Sequence, residues 1–127
     1  MSASNYLELE LLDHVLGVGA YTQPSGLYVA LSLGSFADAN SGTELSGSNY
    51  SRKAVTFATA SSGSSASNAA VEFDAASGSW GACSHFGIYD AVTTGNLLFH
   101  GAFDAAKTIA TGDVLKIASG SITISMD

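Results

Sequence analysis

The alternation of apolar and polar positions is sharpest between residues 80 and 102. Phe86 and Ile88 alternate with Gly87 and Tyr89, and further on Leu97 and Phe99 alternate with Leu98 and His100. A period of two marks a strand with one buried face. Between the two arms lies Thr94-Gly95-Asn96, where glycine supplies the positive φ of a tight turn. The stretch predicts an antiparallel hairpin. One segment has a helical period instead. Over residues 4–16, Leu7, Leu11, Leu12, Val15 and Leu16 recur at helical spacing, Ser4 is a ready N-cap, and Gly17 and Gly19 end the run. The stripe predicts a helix, within residues 1–17, packed on its own domain or on a neighbouring subunit.

Short strands account for most of the rest. Leu27 to Leu33 alternates, with Leu27, Val29, Leu31 and Leu33 as its expected core face. Arg52 to Phe57 and Ala70 to Phe73 read as two more. Asp113 to Ala118 and Ser121 to Met126 are expected to form a last hairpin through Ser119-Gly120. Residues 34–49 and 60–68 carry little period and read as polar loops that contact a partner or stay mobile. About seven closely spaced strands without alternating helices predict a mainly β fold. We expect an antiparallel β-sandwich or jelly roll with one N-terminal α-helix, as a single domain over residues 1–127.

Composition narrows the partners. Charged residues are 12% of the 127, and eleven acids against four bases give a formal charge of −7. The bases are Arg52, Lys53, Lys107 and Lys116, too few and too scattered to displace counterions from nucleic acid. The same balance disfavours an anionic membrane surface, and no run approaches the ~20 apolar residues of a membrane span. The first residues lack the basic and apolar regions of a signal peptide, so synthesis and assembly in a cytoplasm are expected. The lone Cys83 cannot close an internal disulfide and reads as a small packed hydrophobe.

Candidate chemistry is thin. Cys83, His85 and Asp90, or Ser84, His100 and Asp104, could be assembled on paper into a triad, but strand neighbours two apart point outward in parallel and not at each other. His85 and His100 could face each other across the hairpin, yet no Cys-x-x-Cys or His-x-x-x-His pair supports a zinc site. No catalytic residue, metal or cofactor is expected. Trp80 and Tyr89 could stack on a sugar or simply pack. Arg52, beside Tyr50, could meet an acidic patch on a neighbouring subunit or start a solvated strand.

Taken together, several motifs resemble a known family. The opening Ser4-Asn5-Tyr6-Leu7-Glu8 and Leu12-Asp13-His14-Val15-Leu16-Gly17 is followed by Tyr21-Thr22-x-Pro24 and Leu27-Tyr28-Val29-Ala30-Leu31-Ser32. Gly42-Thr43-Glu44-x-Ser46-Gly47-x-x-Tyr50-x-Arg52, Val55-Thr56-Phe57, Phe86-Gly87-Ile88-Tyr89-Asp90-Ala91 and Gly95-Asn96-Leu97-Leu98 continue it. This pattern resembles small tailed-bacteriophage virion proteins labelled tail-fibre proteins. The resemblance implies a structural role in the virion and no enzyme activity. Small size and the lack of repeats add an expectation of our own, a capsid decoration (cement) protein. Its partners would be the major capsid protein and further copies of itself, as a homotrimer on the outer capsid. The alternative is a tail fibre or a receptor-binding, sugar-binding module of the tail. Expected contact residues are Tyr6, Leu7, Tyr50, Arg52, Trp80 and Tyr89.

Overall fold

A computed structural model of the chain describes residues 1–126; the last position of the expected 1–127 span lies outside them. The central hairpin forms as its period predicts. β6 (Gly81–Tyr89) and β7 (Leu97–Ile109) pair antiparallel, with Phe86 opposite Gly101 and Ile88 opposite Phe99. The connection is the whole of residues 90–96, wider than a tight turn. The Asp90 carboxylate holds it by accepting the Asn96 backbone N–H at 2.7 Å and its side-chain amide at 2.9 Å. Gly95 sits at φ 73° there, as the turn requires.

β2 (Leu27–Ser32) lies on the other side of β6, and β3 (Lys53–Val55) pairs with β2. A two-residue β1 (Ser2–Ala3) adds to the outer edge of β7. The result is a five-stranded antiparallel sheet in the order β1-β7-β6-β2-β3. Against it stand two short ribbons, β4 (Ser64–Ala66) with β9 (Thr123–Ser125) and β5 (Val71–Glu72) with β8 (Lys116–Ile117). Val29, Leu31, Val55, Phe86 and Ile88 from the sheet share one core with Val71, Phe73, Leu115, Ile117 and Ile122 from the ribbon layer. The fold is mainly β with one helix, as expected, and has about nine strands where about seven were predicted. β1 and β4 are too short to show a period.

Three expectations need correction. Residues 113–126 do not form a hairpin. Gly120, at φ 83°, keeps the turn and the Ser121 N–H reaches the Ala118 carbonyl, but the two arms part, β8 joining β5 and β9 joining β4. Leu33 is not core, because β2 ends at Ser32 and Leu33 is half exposed. Both faces of β2 are instead covered. Ala30 packs with Phe36, Tyr89 and Leu97 in a second apolar cluster on the face opposite Val29 and Leu31. The 34–49 segment supplies Phe36 to that cluster and is tied down by Ser32 Oγ donating to the Thr43 carbonyl at 2.6 Å and by Leu45 N–H donating to the Leu31 carbonyl at 2.9 Å.

Cys83 is fully buried between sheet and ribbons, and burial pushes its thiol up from the ordinary value. Native protein is therefore expected to resist a thiol reagent at neutral pH and to react fully once denatured. Stoichiometric labelling of the folded chain within minutes would contradict this placement.

Candidate functional site

Ser4 starts α1 (Asn5–Val15) by local rules and also fastens it. Its hydroxyl accepts the Leu7 N–H at 3.2 Å, the N-cap bond, and donates to the Leu97 carbonyl. Its own N–H donates to the Leu98 carbonyl at 2.8 Å, and the Asn5 N–H to that of Asp38 at 2.9 Å. The first turn is thus clamped to β7 and to the loop after β2. Beyond it only one edge of the helix stays against the body. Leu7 is the one fully buried residue of α1, Tyr6, Glu10 and Leu11 are half-buried, and everything on the far side is open.

That open side is apolar. Leu9, Leu12, Val15 and Leu16 are exposed by 65, 56, 77 and 71%, and Val18, just past the helix, is exposed as well. At 100° per residue Leu9, Leu12 and Leu16 fall on one narrow stripe, away from Leu7. The expected core stripe of Leu7, Leu11, Leu12, Val15 and Leu16 therefore divides: Leu7 and Leu11 face the domain, and Leu12, Val15 and Leu16 face out. One thin edge of contact with the sheet cannot cover a helix that is apolar on two sides.

Tyr6 and Leu7 of the six expected contact residues lie on α1, and the other four lie in or near the core. Arg52 is buried at the centre of a polar node. Its guanidinium donates to Glu44 through Nε at 2.9 Å and Nη2 at 2.8 Å, and through Nη1 to the carbonyls of Ala91 at 2.9 Å and Thr94 at 2.7 Å. It also lies 3.6 Å above the Tyr89 ring. Burial pulls its pKa down, but the hydrogen bonds and charge of Glu44 outweigh this and hold it up. Tyr50 donates its hydroxyl to Glu44 at 2.6 Å and accepts the Leu31 N–H at 2.9 Å. Burial, and then the bond to Glu44, drive its pKa far above the ordinary value. The node joins the 34–49 segment, β2 and the 90–96 connection. Trp80 is core: it meets Tyr50 and Phe73 edge to face, and its indole N–H donates to the Ser48 carbonyl at 2.9 Å. Tyr89 is buried against Phe36, its hydroxyl donating to Asn40. Neither ring has an open face for a sugar. Tyr6 alone of the six reaches a surface feature, a notch of about 150 Å³ shared with Asn5, Asp38, Asn40 and Asn96.

No reaction centre is assembled among the described residues. Ser84 Oγ donates to the Leu33 carbonyl at 2.8 Å and lies 2.7 Å from Nδ1 of its neighbour His85. His100 pairs with Asp38 at 2.7 Å, away from Ser84. The two histidines are diagonal and not directly opposite, because His85 faces Ala102 and His100 faces Gly87. No group of three or more His, Cys, Asp and Glu is placed to hold a metal among the described residues. A larger groove of about 570 Å³ opens where residues 103–106 bulge out of β7, lined by Phe86, Phe103, Lys107 and Lys116 among others.

A small β protein whose buried polar groups hold loops to a sheet, and which exposes an apolar helix face, suits a structural, assembling class. The comparison with protein families agrees. The chain belongs to the family described as Podophage GP4 fiber I protein gp80, whose model matches residues 2–125. It is thus a phage virion protein of a structural, fibre-type family, as the sequence resemblance implies. No curated protein matches the chain.

Proposed function

We propose that this chain is a non-enzymatic attachment protein of the phage particle, docked on its neighbours through the outer face of α1. The carrying observation is the exposed aliphatic stripe Leu9, Leu12 and Leu16, with Val15 and Val18 beside it, on a helix that meets its own domain along its opposite edge. Apolar side chains so grouped cost solubility unless something covers them. Two positions in the particle suit this role. Small size and the lack of repeats support a decoration protein that ties outer capsid subunits together, with the major capsid protein as partner and a homotrimer as the unit. The description of the family as a fibre protein supports attachment at the tail. Repeated copies would gain avidity in either place.

Copy number separates the two positions. Quantitative mass spectrometry of purified particles giving a ratio near unity to the major capsid protein supports the capsid, and a few per cent or less supports the tail. Docking itself is tested by the double variant Leu12→Ser, Leu16→Ser. Both positions are exposed, so thermal stability is expected to stay within about 0.5 kcal/mol of the parent. Retention on particles is expected to fall by about tenfold or more, the scale of losing one well-packed apolar anchor. Undiminished retention would refute docking through α1.

A further inference from the structure

We propose that the occupant of the α1 stripe is an apolar groove with a basic rim on a different virion protein, and not a second copy of this helix. The inference rests on the docking reading above and adds the chemistry of the partner. Leu9, Leu12 and Leu16 are spaced three and then four residues apart, the a-d-a spacing of a helix seam. In that register Glu8 takes the g position before Leu9, and Asp13 takes the e position after Leu12. Both are exposed, one on each flank of the stripe.

The flanks decide the partner. In a parallel coiled coil, g of one helix meets e of the next heptad on its neighbour, so Glu8 would face Asp13 across every interface. In an antiparallel pair with Leu9 stacked on Leu12 of the other helix, g meets g and e meets e, which sets Glu8 against Val15 and Asp13 against Tyr6, so neither carboxylate finds a cation. The parallel arrangement brings like charges together, the antiparallel one leaves both carboxylates without a cationic partner, and the formal charge of −7 adds to the repulsion between copies. Lys or Arg on the rim of a groove would instead pair with both acids while the groove takes the leucines, the usual division between apolar anchors and charged flanks in helix recognition. An anionic membrane is disfavoured by the same two carboxylates. A homotrimer, if formed, would then be built through another surface.

The test uses the full chain, phage particles produced without it, and three variants. The probe is the depleted particle itself. The parent is expected to bind it, and Glu8→Lys with Asp13→Lys to bind about tenfold more weakly, the scale of losing one or two partly desolvated ion pairs. Raising salt from about 0.1 M to about 1 M, which cuts the screening length from about 10 Å to about 3 Å, is expected to weaken the parent and to narrow that gap. Asp13→Lys alone, which sets Lys opposite Glu8 in a parallel pair, is expected to increase self-association in sedimentation. If the double Lys variant binds as tightly as the parent while Leu12→Ser, Leu16→Ser does not, the basic rim is refuted and docking stands. If the Ser variant also binds normally, docking through α1 falls first. Self-association of the parent that Leu12→Ser, Leu16→Ser abolishes would put a second copy on the stripe and overturn the proposal. Binding of the parent to phosphatidylcholine vesicles would put a membrane there and overturn it equally.

Discussion

Replacing Arg52 with methionine is expected to lower unfolding stability by about 3–5 kcal/mol, the cost of removing one partner of a buried ion pair. Four hydrogen bonds donated by Arg52 go at once, two to Glu44 and one each to the Ala91 and Thr94 carbonyls. Glu44 keeps some solvent, with a quarter of its side chain exposed, which favours the lower end of that range. Against a typical total of about 5–15 kcal/mol the loss decides whether the chain folds at all at growth temperature. Arg52→Lys is expected to recover only part of it, because an ammonium cannot reproduce a fork to Glu44 together with two carbonyl bonds and a stacked face. Urea denaturation of the parent and both variants checks this, and a loss under about 1 kcal/mol for Arg52→Met would contradict the node. Tyr50 adds a pH dependence of known sign. Its folded pKa lies above the ordinary value of 10.0, so its stabilisation is whole below about 10 and declines as pH rises beyond that, when the unfolded chain ionises first. Tyr50→Phe is expected to flatten that alkaline decline.

How far the sequence reveals this fold depends on range. The period of two at Phe86 to Tyr89 and Leu97 to His100 reports which face is buried, and the structure buries Phe86, Ile88 and Leu97. Ser4 and Gly17 bracket the helix by local hydrogen bonding and backbone freedom, and α1 occupies Asn5–Val15 between them. Period does not say which strand is the partner. The last two strands were therefore expected to pair with each other, while in the fold each pairs with a strand more than forty residues back in the chain. Nor does it tell one buried face from two, so the cluster of Ala30, Phe36, Tyr89 and Leu97 behind β2 was not foreseen. The surface proposed for contact is half legible. Arg52, Tyr50 and Tyr89 do act together, but inward, because Glu44 from a loop without period neutralises the cation. Leu9 completes the outer stripe and was passed over. The signal was present: Leu9, Leu12 and Leu16 at seam spacing on the side opposite Leu7 mark a helix apolar on two sides.

Trp80→Ala is expected to cost about 3–5 kcal/mol, the usual loss for truncating a buried aromatic ring. The indole packs edge to face against the stacked pair Tyr50 and Phe73, with ring centroids 5.7 and 6.3 Å away. Removing it also leaves the Ser48 carbonyl without its 2.9 Å donor, so the loop end at Ser48 loosens along with the core. Trp80→Phe keeps most of the ring contact and drops the hydrogen bond, and about 1–2 kcal/mol is expected for it. The chain has one tryptophan, so its fluorescence reports this place alone. Emission should be blue-shifted and shielded from acrylamide in the folded chain. It should also stay unchanged when the protein joins the particle, because a ring 5% exposed has almost no surface left to offer a partner. A marked emission shift on particle binding would show that Trp80 touches the partner after all. The loss of stability in Trp80→Ala would then have to be divided between packing and docking by measuring it in free and particle-bound protein.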